Sequence, residues 1–332
     1  MSKRKRRLRI FLAMVVIFTL ALVVEELDFY FRNPSVQSSA RNAIWLRHSW
    51  IDNKHTDAEY RELVDRFHRM QIVDVYFHAG PLDGNGSVGK AKLDGSARLI
   101  RIIKKLDPGI RMQPWLGQVA EFGGGGPLDL RSPGVRAEIV RTAEKYLNVG
   151  AAGFHLDLEP IYSGDRDYLQ LLRELHKVTR SQKAILSVAA YKPEEFPGLE
   201  RMAALIAKCP GYWSKEYFLL VSKEVDQVAV MTYDSAIWLP GVYGRSILWT
   251  TQWAVKNGVK DLYIGIPTYE KGGPAHFAWA ENIHSSLKGL KLGVSGLSLN
   301  DQSKVGAAIF AEWTTSKEEE YTFIRECLDK PY

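Results

Sequence analysis

Cysteine is nearly absent: Cys209 and Cys327 are the only two in 332 residues. That excludes a disulfide scaffold and a four-cysteine zinc site, and leaves a bond between the two open. The one G-x-G-x-x-G, Gly84-Asn85-Gly86-Ser87-Val88-Gly89, does not directly follow a run that reads as a strand, so the dinucleotide fingerprint is not met. The glycine-rich stretch Glu121-Phe122-Gly123-Gly124-Gly125-Gly126 lacks the Lys-Ser/Thr of a phosphate loop and reads as a mobile rim. Asp83-Asn85-Ser87 has calcium-loop spacing, but Val88 stands where the sharp turn requires glycine. There is no low-complexity bulk. Apolar residues at 46% and charged residues at 25% exclude a disordered chain, a collagen-like repeat and a polytopic membrane protein.

The net charge of +6 is not spread over the chain. Six of the 44 basic residues fall in the first nine positions, MSKRKRRLR, which hold no acid; the 38 that remain are matched by 38 acidic ones. No basic stripe with interleaved aromatics occurs elsewhere, so nucleic-acid binding is not expected.

The basic cluster, residues 1–9, is followed by an uncharged apolar run from Ile10 to Val24. A cleaved signal peptide needs a small-residue site near the end of such a run. Here it ends in Val23-Val24-Glu25-Glu26, and Ser38-Ser39-Ala40 lies too far downstream. Leu27, Phe29 and Tyr30 extend the apolar or interfacial part. We therefore read residues 10–30 as an uncleaved transmembrane signal anchor, 31–41 as a stalk and 42–332 as the folded domain. Lys/Arg excess marks the cytoplasmic side, which puts the domain outside the cell membrane on a single pass, or in the medium if the anchor is cut.

From residue 42 on, short apolar segments alternate with helical patterns. The expected strands are Ala43–His48, Ile72–Ala79, Ile110–Gly117, Gly153–Glu159, Ala184–Ala190, Asp226–Tyr233, Leu262–Pro267 and Val305–Glu312. Thr56 with Glu59 three residues on forms a capping box for a helix to Met70. Ser132-Pro133 opens a second helix, and Asp167–Arg180 is a third. Eight strand–helix units predict an α/β fold, a (β/α)8 TIM barrel, with chemistry at the C-terminal ends of the strands.

The fourth strand carries that chemistry. Period-two alternation turns His155, Asp157 and Glu159 into the barrel and Phe154, Leu156 and Leu158 toward the helices. Three ionisable groups inside a barrel are costly unless they pair or work. Glu159 comes last, at the rim, and Pro160 ends the strand.

The segment Ala152-Gly153-Phe154-His155-Leu156-Asp157-Leu158-Glu159 resembles the D-G-x-D-x-D-x-E signature of the family 18 glycoside hydrolases, the chitinase family. Ala152 and His155 replace two of its Asp positions. Met231-Thr232-Tyr233-Asp234 resembles the family's M-x-Y-D motif on strand 6. Gly265-Ile266-Pro267-Thr268-Tyr269 resembles its G-x-P-x-Y segment on strand 7. Trp313 follows strand 8, where the family places a sugar-stacking Trp. The resemblance implies a glycosidase without cofactor or metal that cleaves β-linked glycans containing N-acetylhexosamine. In that scheme Glu159 is the general acid, and Asp157 and Tyr233 hold the substrate's acetamido group, whose oxygen is the nucleophile. Asp234 and Met231 line the same subsite. His155, if protonated, lowers the pKa of Asp157; if neutral, it fixes the Asp157 rotamer.

Trp115, Tyr191, Trp238 and Tyr269 fall at or just after strand ends, where rings stack on sugars or simply pack. About 37 residues between Pro267 and Val305 leave room for one helix, so the groove is expected to be shallow. Two other functions fit the same residues: a chitinase-like glycan-binding protein with weak turnover, and a metal-dependent barrel hydrolase or deacetylase using His48, His78, His155 and Asp234.

Overall fold

The computed structural model describes residues 3–34, 41–121, 126–207 and 211–328. The expectations placed on Cys209 and on the glycine run at 122–125 lie outside the described residues; Cys327 is buried. Nine strands follow in chain order: β1 (Asn42–Leu46), β2 (Ile72–His78), β3 (Arg111–Val119), β4 (Gly153–Glu159), β5 (Ile185–Pro193), β6 (Tyr212–Trp213), β7 (Gln227–Met231), β8 (Leu262–Pro267) and β9 (Val305–Phe310). Every pairing between them is parallel, and β1-β2-β3-β4-β5-β7-β8-β9 closes back on β1. β6 only extends β5. This is the closed eight-stranded barrel with its ring of helices, a (β/α)8 fold.

Local chemistry explains the helix starts. Thr56 accepts from the Glu59 N–H while Glu59 reaches back to the Thr56 N–H, the reciprocal cap expected for Asp57–Met70. Ser132 caps Pro133–Asn148. Asp165 caps Arg166–Gln182, two residues ahead of the expected Asp167. β4 and β8 have the bounds read from the sequence. β7 stops at Met231 and β9 at Phe310, two residues short of expectation, so Tyr233 and Asp234 sit just past a strand end. Between β8 and β9 lie the helix Ile283–Ser295 and the single turn Leu299–Gln302.

The barrel interior is layered. At its floor, fully buried Asp74 accepts hydrogen bonds from Arg111, Tyr263, Gln113 Nε2 at 2.8 Å and Gln227 Nε2 at 3.1 Å. A buried carboxylate is tolerable only with this degree of pairing. Above the floor, the His155 ring stacks on Tyr76 at 3.9 Å and meets Trp45 edge-on. The strand ends and their loops form the top layer.

One helix stands outside the barrel. Lys3–Phe31 contains a stretch, Arg4–Phe31, long and apolar enough to cross a membrane. Its last two turns pack on the helix Pro240–Lys256. The Glu26 carboxylate accepts the Gly241 and Val242 N–H groups at 2.9 and 3.0 Å, capping a helix whose own Leu239 offers no side-chain cap. Phe29 is 6% exposed, and its ring fills the space over Gly244, where a Cβ would lie 2.1 Å from Phe29 Cζ. Arg245 pairs with Glu25 and Asp28, and Lys288 donates to the Tyr30 carbonyl at 2.7 Å. Phe29, expected as an interfacial residue, is instead a packing residue of the barrel's outer layer, because Gly244 leaves a socket of its size.

Candidate active site

β4 presents its side chains as the alternation requires. Phe154, Leu156 and Leu158 are buried in the main core between strands and helices. His155 lies wholly inside the barrel, its Nδ1 2.9 Å from Ser187 Oγ. Burial pushes its pKa down to about 3, so it is neutral. His155, expected to border the substrate, is fully buried in the middle layer against Tyr76 and Trp45. Burial thus favours the neutral form over the protonated one.

Asp157 is held instead by Trp115 on β3, whose Nε1 donates to Oδ2 at 2.8 Å. Burial raises the Asp157 pKa, and the indole hydrogen bond lowers it in part. Glu159 sits at the last position of β4. Its pKa is raised first by burial, then by the charges of Asp157 and Asp234, against a hydrogen bond from Tyr191. Two carboxyl groups on one strand face thus favour keeping a proton between them near neutral pH. A protonated carboxyl at the mouth of a barrel is what a general acid requires.

Tyr233 follows β7, two strands round the barrel from β4. Its ring stacks on Phe310 at 4.8 Å and meets Tyr269 edge-on at 6.1 Å. Burial and the nearby Asp157 charge raise its pKa well above the ordinary value, so its hydroxyl keeps its proton. Gly265 makes this placement feasible: a Cβ there would lie 2.8 Å from Tyr233 Cε1. The glycine of the G-x-P-x-Y segment therefore has a steric reason beside the tyrosine of the M-x-Y-D segment.

Asp234 follows with φ of 52°, a left-handed conformation that Asp tolerates better than most residues. Its carboxylate lies 3.4 Å from His276 Nδ1, which is also 3.3 Å from buried Glu281. Glu281 in turn accepts from the Ser235 N–H and hydroxyl, fixing the loop after β7. Asp234, His276 and Glu281 are, among the described residues, the one group close enough to share a metal ion. The set His48, His78, His155 and Asp234 does not form such a group, because His155 is directed into the middle layer.

The rim continues over β1, β2 and β9. Arg47, His48, His78, Trp115 and Trp313 line a cleft of about 460 Å³. Arg47 lies over the Trp313 ring at 5.8 Å, and His78 meets Trp115 edge-on at 4.7 Å. Burial, then His48 and Lys92, lower the His78 pKa to about 4, leaving a neutral ring. Met231 is half-buried beside Tyr191 on the neighbouring strand. Tyr269 stacks on His276 at 4.4 Å, so one of its faces is already occupied. A larger cavity, about 720 Å³, lies between the helices Asp57–Met70 and Lys317–Leu328, around Arg66 and Glu320, and holds neither β4 carboxylate.

Sequence reasoning missed two roles here. Tyr191 and Trp115 were grouped with rings that stack on sugars, yet each hydrogen-bonds a β4 carboxylate. Arg47 was not singled out at all. Its position directly after β1 was the signal that could have found it.

No protein-family model and no curated protein matches the chain. Solved structures do. The Bacillus cereus spore cortex-lytic enzyme SleL is 12% identical with a TM-score of 0.60, over 89% of this chain and 75% of its own. A chitinase from Chromobacterium violaceum is 14% identical with a TM-score of 0.58, over 88% and 100%. A plant class V chitinase mutant from Cycas revoluta, in complex with (GlcNAc)3, is 12% identical with a TM-score of 0.54, over 87% and 98%. At such identities the likeness is one of fold: the chain has the (β/α)8 barrel of these chitinase-like structures, and it resembles family 18 as a divergent form with Ala152 and His155 at two signature positions.

Proposed function

We propose that the protein is a glycosidase that cleaves glycans containing N-acetylhexosamine, held outside the cytoplasmic membrane by its N-terminal helix. The observation that carries this reading is Glu159 at the C-terminal end of β4, kept protonated by burial beside Asp157. Glu159 donates its proton to the leaving glycosidic oxygen. Asp157, fixed by Trp115, accepts the acetamido N–H, and Tyr233 donates to the acetamido oxygen. That oxygen attacks the anomeric carbon, and water later opens the cyclic intermediate with Glu159 as base. Trp313, Asp234, Met231 and Tyr269 border the sugar site, and Trp115 walls the neighbouring cleft. The complex of the Cycas enzyme with (GlcNAc)3 supports the choice of sugar.

The anchor reading rests on the six cations before the apolar run and on the packing of Glu25–Tyr30. Cleavage after that run would strip Phe29 from its socket and Glu26 from the helix it caps.

The test is release of reducing ends from N-acetylglucosamine oligomers by the full chain, with Glu159→Gln as control. Turnover that survives in Glu159→Gln, or absence of turnover with tight glycan binding, rejects the assignment; the second outcome makes the protein a binder.

A further inference from the structure

The N-terminal helix does more than tether. Glu26 contacts Gly241 and Val242, and three residues on, Phe29 contacts Gly244, so the contacts advance equally along both helices. The two helices run in the same direction. Pro240–Lys256 starts at the rim, after β7, and runs back toward the floor of the barrel. The apolar run, which precedes Glu25, therefore projects from the rim side.

Its length leaves no slack. The uncharged part of the 10–30 anchor, residues 10–24, covers about 22 Å as a helix, less than the roughly 30 Å hydrocarbon core of a bilayer, so the packed turn Glu26–Tyr30 lies at the bilayer's edge. One residue, Glu25, separates Val24 from the Glu26 cap, about 3 Å of rise in all. A short span draws the bilayer toward its flanks rather than leaving the domain at a distance.

Two exposed tryptophans stand at that level. Trp238 lies two residues before Pro240 and is 56% exposed; Trp279 lies four residues before Ile283 and is 63% exposed. Trp279 Nε1 donates to the Trp238 carbonyl at 2.9 Å, joining the two loops. The helices they precede are the pair that receives Glu26, Phe29 and Tyr30. Large exposed indoles are costly in water and favoured at lipid headgroups.

We propose that the rim loops carrying Trp238 and Trp279 rest in the headgroup layer of the membrane that holds the helix, so that the β4 carboxylates open toward that membrane. This rests on the anchor reading above. The partner is a lipid surface.

The test uses the full chain in vesicles of phosphatidylethanolamine and phosphatidylglycerol carrying headgroup-level nitroxide lipid. Single cysteines replace Trp279, Trp238 or Lys260 in a Cys209→Ser, Cys327→Ala background and carry an environment-sensitive fluorophore. Lys260 is exposed at the opposite end of the barrel, just before β8. The expected result is at least twofold quenching at positions 279 and 238 and none at 260. Vesicle-bound protein with equal signals at all three positions overturns the membrane-facing rim and leaves the anchor standing. Failure of the chain to float with vesicles rejects the anchor itself, and the rim proposal with it.

Discussion

The indole of Trp115 and the carboxylate of Asp157 meet across the β3–β4 pair at 2.8 Å. The hydrogen bond stabilises the Asp157 anion, and the Asp157 charge in turn helps keep Glu159 protonated. Trp115→Phe removes the donor. Asp157 then binds a proton more readily, its charge on Glu159 weakens, and the Glu159 pKa falls. Since the acid must be protonated, the alkaline limb of the kcat/KM profile should move to lower pH, with a loss of about tenfold at neutral pH for one charge-assisted hydrogen bond. A pH–rate profile checks this. An alkaline limb that moves upward, or stays in place, contradicts the linkage.

The contact between Gly265 and Tyr233 makes a second prediction. Gly265→Ala puts a methyl 2.8 Å from the Tyr233 ring and 2.9 Å from the Val230 carbonyl, so the ring must move. Tyr233→Phe leaves the ring and removes the hydroxyl. Each should cut kcat/KM on acetylated oligomers by about tenfold or more. Because both act through one hydroxyl, the double variant should be no worse than the poorer single one. Additive losses in the double-variant cycle would separate Gly265 from Tyr233.

Much of this arrangement was legible in the chain. Strand alternation put His155, Asp157 and Glu159 on one face, and capping residues fixed the starts of two helices. What it did not convey is depth and register. His155 and Asp157 share a face, yet one is locked under Tyr76 and the other reaches Trp115, because Gly117 rather than Trp115 lies opposite Asp157 in the β3–β4 register. Sequence periodicity carries no such pairing. β6 and the helix Lys215–Lys223 escaped notice because two residues of strand and nine of helix give too few repeats to show a period. The socket at Gly244 was invisible for a related reason: a glycine inside a helix shows only that something comes close, not that Phe29 does.

Glu159 also has a cost for the fold. Its pKa is raised in the folded chain, so between the ordinary carboxylate range and that raised value the folded state holds more protons than the unfolded one. Stability is therefore greatest below that window and falls as pH rises through it. Glu159→Gln removes the ionisation. Activity should drop by about 10²–10⁴-fold. The melting temperature at and above neutral pH should rise by about 2 °C or more relative to the parent chain, with the gap closing in acid. Melting curves across pH decide it; a variant less stable at alkaline pH would mean that Glu159 is ionised and paired in the fold.

The sharpest prediction concerns the nucleophile. A retaining enzyme with two catalytic carboxyl groups needs them about 5–5.5 Å apart on opposite sides of the scissile bond, and an inverting one about 6.5–9.5 Å. Asp157 cannot meet that need, since it lies two residues below Glu159 on the same strand face and therefore on the same side of the sugar. Asp234 is the other carboxylate close enough to raise the Glu159 pKa, but its oxygen faces His276 at 3.4 Å. If Asp234 attacked the sugar, Asp234→Asn would abolish turnover, and de-N-acetylated glycans would be cut as well as acetylated ones. If the acetamido oxygen attacks, oriented by Asp157 and Tyr233, acetylated substrate is cleaved with retention, its de-N-acetylated counterpart is inert, and a thiazoline mimic of the cyclic intermediate inhibits. Asp234→Asn should then cost about tenfold or less, chiefly in KM, because it removes a contact made equally in ground and transition states. Equal cleavage of the two glycans would sink the substrate-assisted mechanism even with Glu159 confirmed as the acid.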